Sequence, residues 1–395
     1  MKFVKDIGVI VLFVLLLFSC NEKEKQLKLT DAVFVSKNEI IRIEKMKFSD
    51  DKFVENCSFV PLETTDASLI GEINQLEMVD NKIYIYDSKT TAIKVFDEKG
   101  KYLYNIGSRG EGAEEYLSIK SFFINTDERK ICVLDPLRKT IHEYDMEGKY
   151  VRGVKPANWS FSFMSKFIYF DKYLYGVFDV LQNTDDVYAK ISVEDYSIVD
   201  KWSTYPVTVN TPISITLSGH PLSPTKTGTH YISLYSDTIY TYKDGKTAPY
   251  LIIETGKPHI PSDFFVGKSF EYEPIIAYTE VLSSEKYSPG FDCIFETSKY
   301  IFLKFMAISN FYVFDKDTKE TFHVLEPYYC LNFMNSKYVN GDDLIQIVDQ
   351  DKVLNYRESV EMDEGGIPDK IRDEILNYDV YNDNPIVVIY HIKRF

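Results

Sequence analysis

A self-match at one constant spacing constrains this chain more than any other feature. Lys82-Ile83-Tyr84-Ile85-Tyr86-Asp87 recurs as Lys130-Ile131-Cys132-Val133-Leu134-Asp135. Ile93-Lys94-Val95-Phe96-Asp97 recurs as Ile141-His142-Glu143-Tyr144-Asp145, and Gly100-Lys101-Tyr102 as Gly148-Lys149-Tyr150, always 48 residues on. A fixed period of this length, built from short β-type runs, predicts stacked four-stranded units, as in a β-propeller. The central runs, Ile83 to Tyr86 and Ile131 to Leu134, are apolar at consecutive positions. Such strands have no solvent face and suit sheets packed between two neighbours.

The 395 residues, 45% of them hydrophobic, are ample for one large core. The 27 Phe and 30 Tyr favour strands, because these rings fit a pleated, half-buried surface. Against 60 Asp and Glu stand only 45 Lys and Arg, a net charge of -15, with no long basic run. Such a chain is a poor polyanion binder, so no nucleic-acid partner is expected.

The amino terminus reads as an export signal. Lys2 and Lys5 precede an apolar run from Ile7 to Phe18, broken only by Gly8. As a helix it reaches about 18 Å, too short for a ~30 Å hydrocarbon layer. Its ending, Leu17-Phe18-Ser19-Cys20, resembles a bacterial lipobox, which implies cleavage before Cys20 and acylation of that cysteine. The expected organisation is a signal peptide over 1–19, a polar tether over 20–37 and a propeller over 38–395. The membrane is then a partner through the lipid anchor.

Further units follow the first two less regularly. Lys172 to Tyr175 and Val187 to Ile191 suggest a third; Tyr231 to Tyr235, Thr238 to Tyr242 and Tyr250 to Ile253 a fourth. Lys299 to Phe305 and Phe311 to Asp315 suggest a fifth, and Leu331 to Met334, Leu344 to Val348 and Ile386 to Ile392 a sixth. Two short helices are expected: Ser49 to Asn56, capped by Ser49 with Asp50 and Asp51 in its first turn, and Ile367 to Asn377, opened by Pro368. The predicted fold is therefore all-β, a six-bladed propeller of four-stranded antiparallel blades with short helical insertions near the N-terminus and in the last blade. Cys57 to Leu62 is expected to pair with Ile386 to Ile392 and close the ring, Pro61 being tolerable on an edge strand. Cys57, Cys132, Cys293 and Cys330 form no C-x-x-C pair and fall in different strands, so all four are expected as thiols, with Cys293 and Cys330 the one pair near enough to bridge.

Several of these segments together resemble the six-bladed β-propeller lipoproteins abundant in Bacteroidota, which are similar in shape to NHL-repeat propellers. The residues that carry the resemblance are the lipobox, Phe59-Val60-Pro61-Leu62-Glu63-Thr64, Ile70-Gly71-Glu72-Ile73, the loop Gly107 to Tyr116, Asp237-Thr238-Ile239-Tyr240 and Asn384 to Tyr390. This chain carries Ala113-Glu114 where that family usually has Pro-Gly. The resemblance implies a fold and a cell-envelope location, and no catalytic residues.

The glycines of Gly107 to Tyr116 lack phosphate-loop spacing and read as an interblade turn. No H-E-x-x-H or G-x-S-x-G pattern occurs, the six histidines contain no i, i+4 pair, and no cofactor is expected. Propeller enzymes commonly hold a metal in the channel, for which Asn74, Glu77, Asp292 and Asn332 are the candidate ligands, Glu77 foremost. Trp159, Phe161 and Phe163 are candidate stacking residues for a sugar or peptide. Asp237-Thr238-Ile239 resembles the Asp-Ser/Thr-apolar O-glycosylation motif of exported Bacteroidota proteins, which a buried strand would exclude. The leading functional reading is a membrane-anchored binding or assembly module for a glycan, a peptide or an envelope protein. The alternative is a metal-dependent hydrolase or lyase with its site in the propeller channel.

Overall fold

In a computed structural model, the described residues are 33–35, 38–42, 52–157, 164–178, 186–204, 220–233, 236–254, 257–258, 286–288, 290–305, 310–325, 336–360, 373 and 375–394. They form six antiparallel blades. Blade one contains β4 (Ile73–Val79), β5 (Lys82–Asp87), β6 (Ala92–Asp97) and β7 (Tyr102–Ile106). Blade two contains β8 (Ser121–Asn125), β9 (Lys130–Asp135), β10 (Thr140–Asp145) and β11 (Tyr150–Val154). Blade three runs from β12 (Met164–Phe170) through β13 (Tyr173–Phe178) and β14 (Asp186–Ser192) to β15 (Ile198–Thr204). Blade four runs from β16 (Leu222–Thr225) through β17 (Gly228–Ile232) and β18 (Thr238–Lys243) to β19 (Lys246–Ile253). Blade five runs from β20 (Phe291–Glu296) through β21 (Tyr300–Phe305) and β22 (Asn310–Asp315) to β23 (Thr321–Leu325). In blade six, β24 (Tyr338–Asn340), β25 (Asp343–Val348) and β26 (Ile386–Ile392) are completed by β3 (Val54–Pro61).

The repeat survives as register. Lys82 pairs with Asp97 in blade one and Lys130 with Asp145 in blade two. In both, the third-strand aspartate accepts backbone N–H groups from the following turn, Lys99 and Lys101 on Asp97, Glu147 and Lys149 on Asp145. The glycine in each of these turns has φ +83°. A Cβ on Gly100 would lie 2.1 Å from the Pro61 carbonyl oxygen, so only glycine lets the turn meet the closing strand. Asp87 and Asp135, fully buried at the ends of β5 and β9, each accept N–H groups from the loop that enters their own blade: Gly71 and Glu72 on Asp87, Leu117 on Asp135.

The cores lie between blades. Tyr84, Val95 and Ile106 of blade one pack with Phe122, Ile131 and Tyr144 of blade two. Between blades three and four, Trp202 stacks on Tyr242 at 4.2 Å with 6° between ring planes. Between blades six and one, Val60, Ile345 and Val387 meet Ile83, Ile85 and Phe96, so the ring closes through apolar burial as well as hydrogen bonds.

Closure takes the expected form. Ile386 pairs with Pro61, Val388 with Phe59 and Tyr390 with Cys57. The expected helix over Ser49 to Asn56 is corrected in its described part: Val54 to Asn56 are strand, with Val54 opposite Ile392 and Asn56 opposite His391. The exposed edge of β26 offers these residues a full ladder, which outweighs a local cap. The N-terminal segment contributes twice more. β1 (Val33–Val35) lies parallel to β19 as a fifth strand of blade four, and β2 (Asn38–Arg42) lies parallel to β23 in blade five. Strand structure thus begins inside the stretch expected as tether. Between β25 and β26 runs an unexpected helix, Gln350–Val360. The expected one at Ile367 to Asn377 is described only near its end, where Ile375 to Asn377 are helical and Ile375 is fully buried. The expected strand Leu331 to Met334 and Cys330 lie outside the described residues, while Cys132 and Cys293 are buried thiols.

Candidate functional site in the central channel

The innermost strands β4, β8, β12, β16, β20 and β24 surround the axis. On β4, Gln75 spends its amide on the next blade. Its Oε1 accepts from Ser121 Oγ at 2.8 Å and Phe122 N at 3.1 Å, and its Nε2 donates to the Phe122 carbonyl at 2.7 Å. The same Nε2 donates to Glu77 Oε1 at 3.1 Å. Desolvation pushes the Glu77 carboxyl up to about 7, and the Gln75 hydrogen bond only partly offsets it. On the other side of Glu77 stands Tyr338 of blade six, whose phenol is pushed up to about 12 by burial and by the Glu77 charge. Its hydroxyl donates to the Asn74 carbonyl at 3.5 Å.

A second set gathers from blades three to six. Burial draws the Lys166 ammonium below the usual lysine range, Cys293 and Asp292 oppose that shift, and Lys337 adds to it. His220, just before β16, is lowered to about 3 by burial and by the Lys166 charge. Its backbone N–H donates to Cys293 Sγ at 3.4 Å, and its carbonyl accepts from Ile294 N at 2.6 Å. Burial pushes the Cys293 thiol up to about 12, which makes it a poor nucleophile. Blades three and six lie opposite one another in a six-bladed ring. Coupling between Lys166 and Lys337 therefore runs over the axis.

Of the metal-ligand candidates, Glu77 sits against blade six, Asp292 belongs to the second set, the Asn74 side chain is exposed, and Asn332 lies outside the described residues. Among the described residues, no three His, Cys, Asp or Glu side chains are placed to share a metal ion. Trp159, Phe161 and Phe163 also lie outside the described residues. Asp237, Thr238 and Ile239 are buried, and Asp237 Oδ1 accepts from Ser288 Oγ, which excludes the glycosylation reading. The loop Gly107 to Tyr116 is an interblade turn. Tyr116 donates its hydroxyl to the Ile106 carbonyl at 3.2 Å, Tyr144 its own to the Glu114 carbonyl at 3.0 Å, and Gly107 packs against the Tyr144 ring. Sequence reasoning missed Gln75, Lys166, His220 and Lys337. Their one signal is a polar residue at or beside an innermost strand, visible only once the strands are ordered.

The model of the DUF4934 family, a domain of unknown function, matches residues 32–391. The chain belongs to the DUF4934 family. No curated protein matches this DUF4934 chain. Among solved structures, it is similar to a candidate exported protein from Bacteroides fragilis, with TM-score 0.68 and 18% identity over 92% of this chain and 100% of the other. A DUF4221-family member from Bacteroides vulgatus follows at TM-score 0.50 and 13% identity, over 87% of this chain and 98% of the other. At these identities the likeness concerns the fold.

Proposed function

We propose that this DUF4934 protein is a lipid-anchored cell-envelope lipoprotein of the NHL-like propeller kind, whose channel mouth binds a glycan, a peptide or another envelope protein. The observation that carries the reading is the meeting of blades three to six around Lys166: Asp292, Cys293 and Lys337 act on its ionisation, its charge lowers His220, and His220 N donates to Cys293 Sγ. Buried charge is costly, and a cluster of groups whose ionisation is perturbed by burial and by one another is a candidate binding site. The exported character of the Bacteroides fragilis relative and the Leu17 to Cys20 ending support an envelope location. Two measurements test the reading. Cys20→Ala is expected to move the protein from the membrane fraction to the soluble periplasm; protein still membrane-bound after a high-salt wash contradicts lipid anchoring. Glycan-array and envelope pull-down binding are expected to fall at least tenfold in Lys166→Met, and unchanged capture by that variant contradicts a channel site.

A further inference from the structure

Outside the channel, blade six carries a Ser–His–Asp relay on its outer strands. Asp343, the first residue of β25, lies directly opposite His391 of β26, and Ser58 of β3 is the diagonal neighbour of His391 on the same face. His391 Nδ1 is 2.9 Å from Asp343 Oδ1, and His391 Nε2 is 2.9 Å from Ser58 Oγ. A carboxylate only accepts, so in the neutral imidazole the proton sits on Nδ1 and Nε2 accepts from the Ser58 hydroxyl. That is the tautomer a general base needs beside a nucleophilic serine. The histidine side chain is 32% exposed and the aspartate 22%, so the relay is open to small molecules. Beside it lies a cleft of ≈ 280 Å³ lined by Glu55, Asn56, Asp343, His391, Ile392 and Arg394. Arg394, tied by Nε to Asp342 at 3.2 Å, and Asn56 line this cleft, and His391 links it to Ser58.

We propose that Ser58, His391 and Asp343 form an acyl-transfer site for small carboxylic esters. Ser58 Oγ bonds to the carbonyl carbon as its proton passes to His391 Nε2. Charge developing on the carbonyl oxygen is met by Arg394 and Asn56. The carbon–alkoxide bond then breaks, and the leaving alkoxide takes the proton from Nε2. Water attacks the acyl-serine and gives a proton to Nε2, and Ser58 Oγ recovers it as the carboxylic acid departs. Asp343 does not change protonation; it positions the ring and stabilises the imidazolium. Ser58 lies in a ladder strand instead of on a sharp turn, so turnover is expected to be slow and covalent trapping is the sensitive readout.

The test treats the purified full chain with a fluorophosphonate and maps the adduct by peptide mass spectrometry, alongside hydrolysis of 4-nitrophenyl acetate. The expected result is a single adduct on Ser58, lost in Ser58→Ala. Labelling should also fall about 10²- to 10⁴-fold in His391→Asn and Asp343→Asn, whose melting temperatures stay near the parent's. A folded parent without an adduct on Ser58, or undiminished labelling in Asp343→Asn, overturns the proposal. If Ser58→Ala does not fold, the adduct position in the parent decides alone.

Discussion

Single side chains in this protein carry tasks that their neighbours in sequence do not announce. Asn384 is buried at the seam between blades six and one. Its Nδ2 donates to the carbonyls of Glu63 and Ser68 at 2.8 and 2.9 Å, and its Oδ1 accepts from Ile70 N at 2.8 Å. No other residue type of that size offers two donors and an acceptor. Asn384→Ala strands three backbone groups in a dry seam and is expected to cost about 3 kcal/mol in urea unfolding. Asn384→Asp should fare little better, because a carboxylate cannot donate to either carbonyl. Glu77 gives a different kind of prediction. Its folded value near 7 lies above the ordinary 4.5, so between these limits the folded state holds more protons than the unfolded one. Stability contributed by this group is present below the unfolded value and is lost as pH rises to about 7. Glu77→Gln is therefore expected to be more stable than the parent at pH 8, by about 2 kcal/mol after discounting channel solvent, with the advantage gone at pH 4.5. His220, held low, contributes the opposite slope below its ordinary range and cancels in that comparison.

At the scale of elements, the closing strand β3 is the most consequential segment. It brings Val54 and Val60 into the core, pairs along β26, and through Glu63 N and Gly100 O reaches the turn of blade one. The strands β1 and β2 are additions of another kind, fifth strands laid on the outer edges of blades four and five. A chain lacking residues 1–63 is expected to melt about 10 °C or more below one lacking residues 1–51, since only the former loses β3 and leaves an unpaired edge. Equal melting temperatures in calorimetry would mean that the ring does not depend on this seam.

For the whole molecule, apolar packing and the proposed channel site divide by radius. Interblade layers are apolar and aromatic, such as Tyr188, Trp202 and Tyr242 between blades three and four. Some polar groups that enter these layers are matched: Glu143 accepts from Arg152 at 2.8 and 2.9 Å and from Tyr196 at 3.1 Å, and His230 meets Glu296 at 2.6 Å, whereas Trp202 Nε1 and the His142 ring nitrogens are buried without a hydrogen bond. The axis is different. There Lys166, His220, Asp292 and Lys337 come from four blades, and the charges of Asp292 and Lys337 act on Lys166 while that of Lys166 acts on His220. A ligand bound at the axis is expected to protect the inner strands from hydrogen exchange before the outer ones, because only the inner strands line its site.

Sequence alone determined the blade. The spacing from Lys82 to Lys130, the turn aspartates Asp97 and Asp145 and the apolar runs on β5 and β9 are local properties, since a strand's faces and its turn follow from neighbours in the chain. It also determined closure by Cys57 to Leu62, because an open ring has two edges and few strand-like segments to cover them. What only the tertiary structure decided was whatever depends on which blades meet. Val54 to Asn56 carries a helix signal nearby and became strand because β26 was there to pair with it. Asp237 to Ile239 resembles a modification motif and is buried, since Asp237 meets Ser288 and Ile239 packs with residues of blade five. Lys166 and Lys337 are 171 positions apart, and Ser58 lies 333 residues from His391. No period or composition relates such residues; the ring does, by bringing opposite blades to one axis and the two ends of the chain into one sheet.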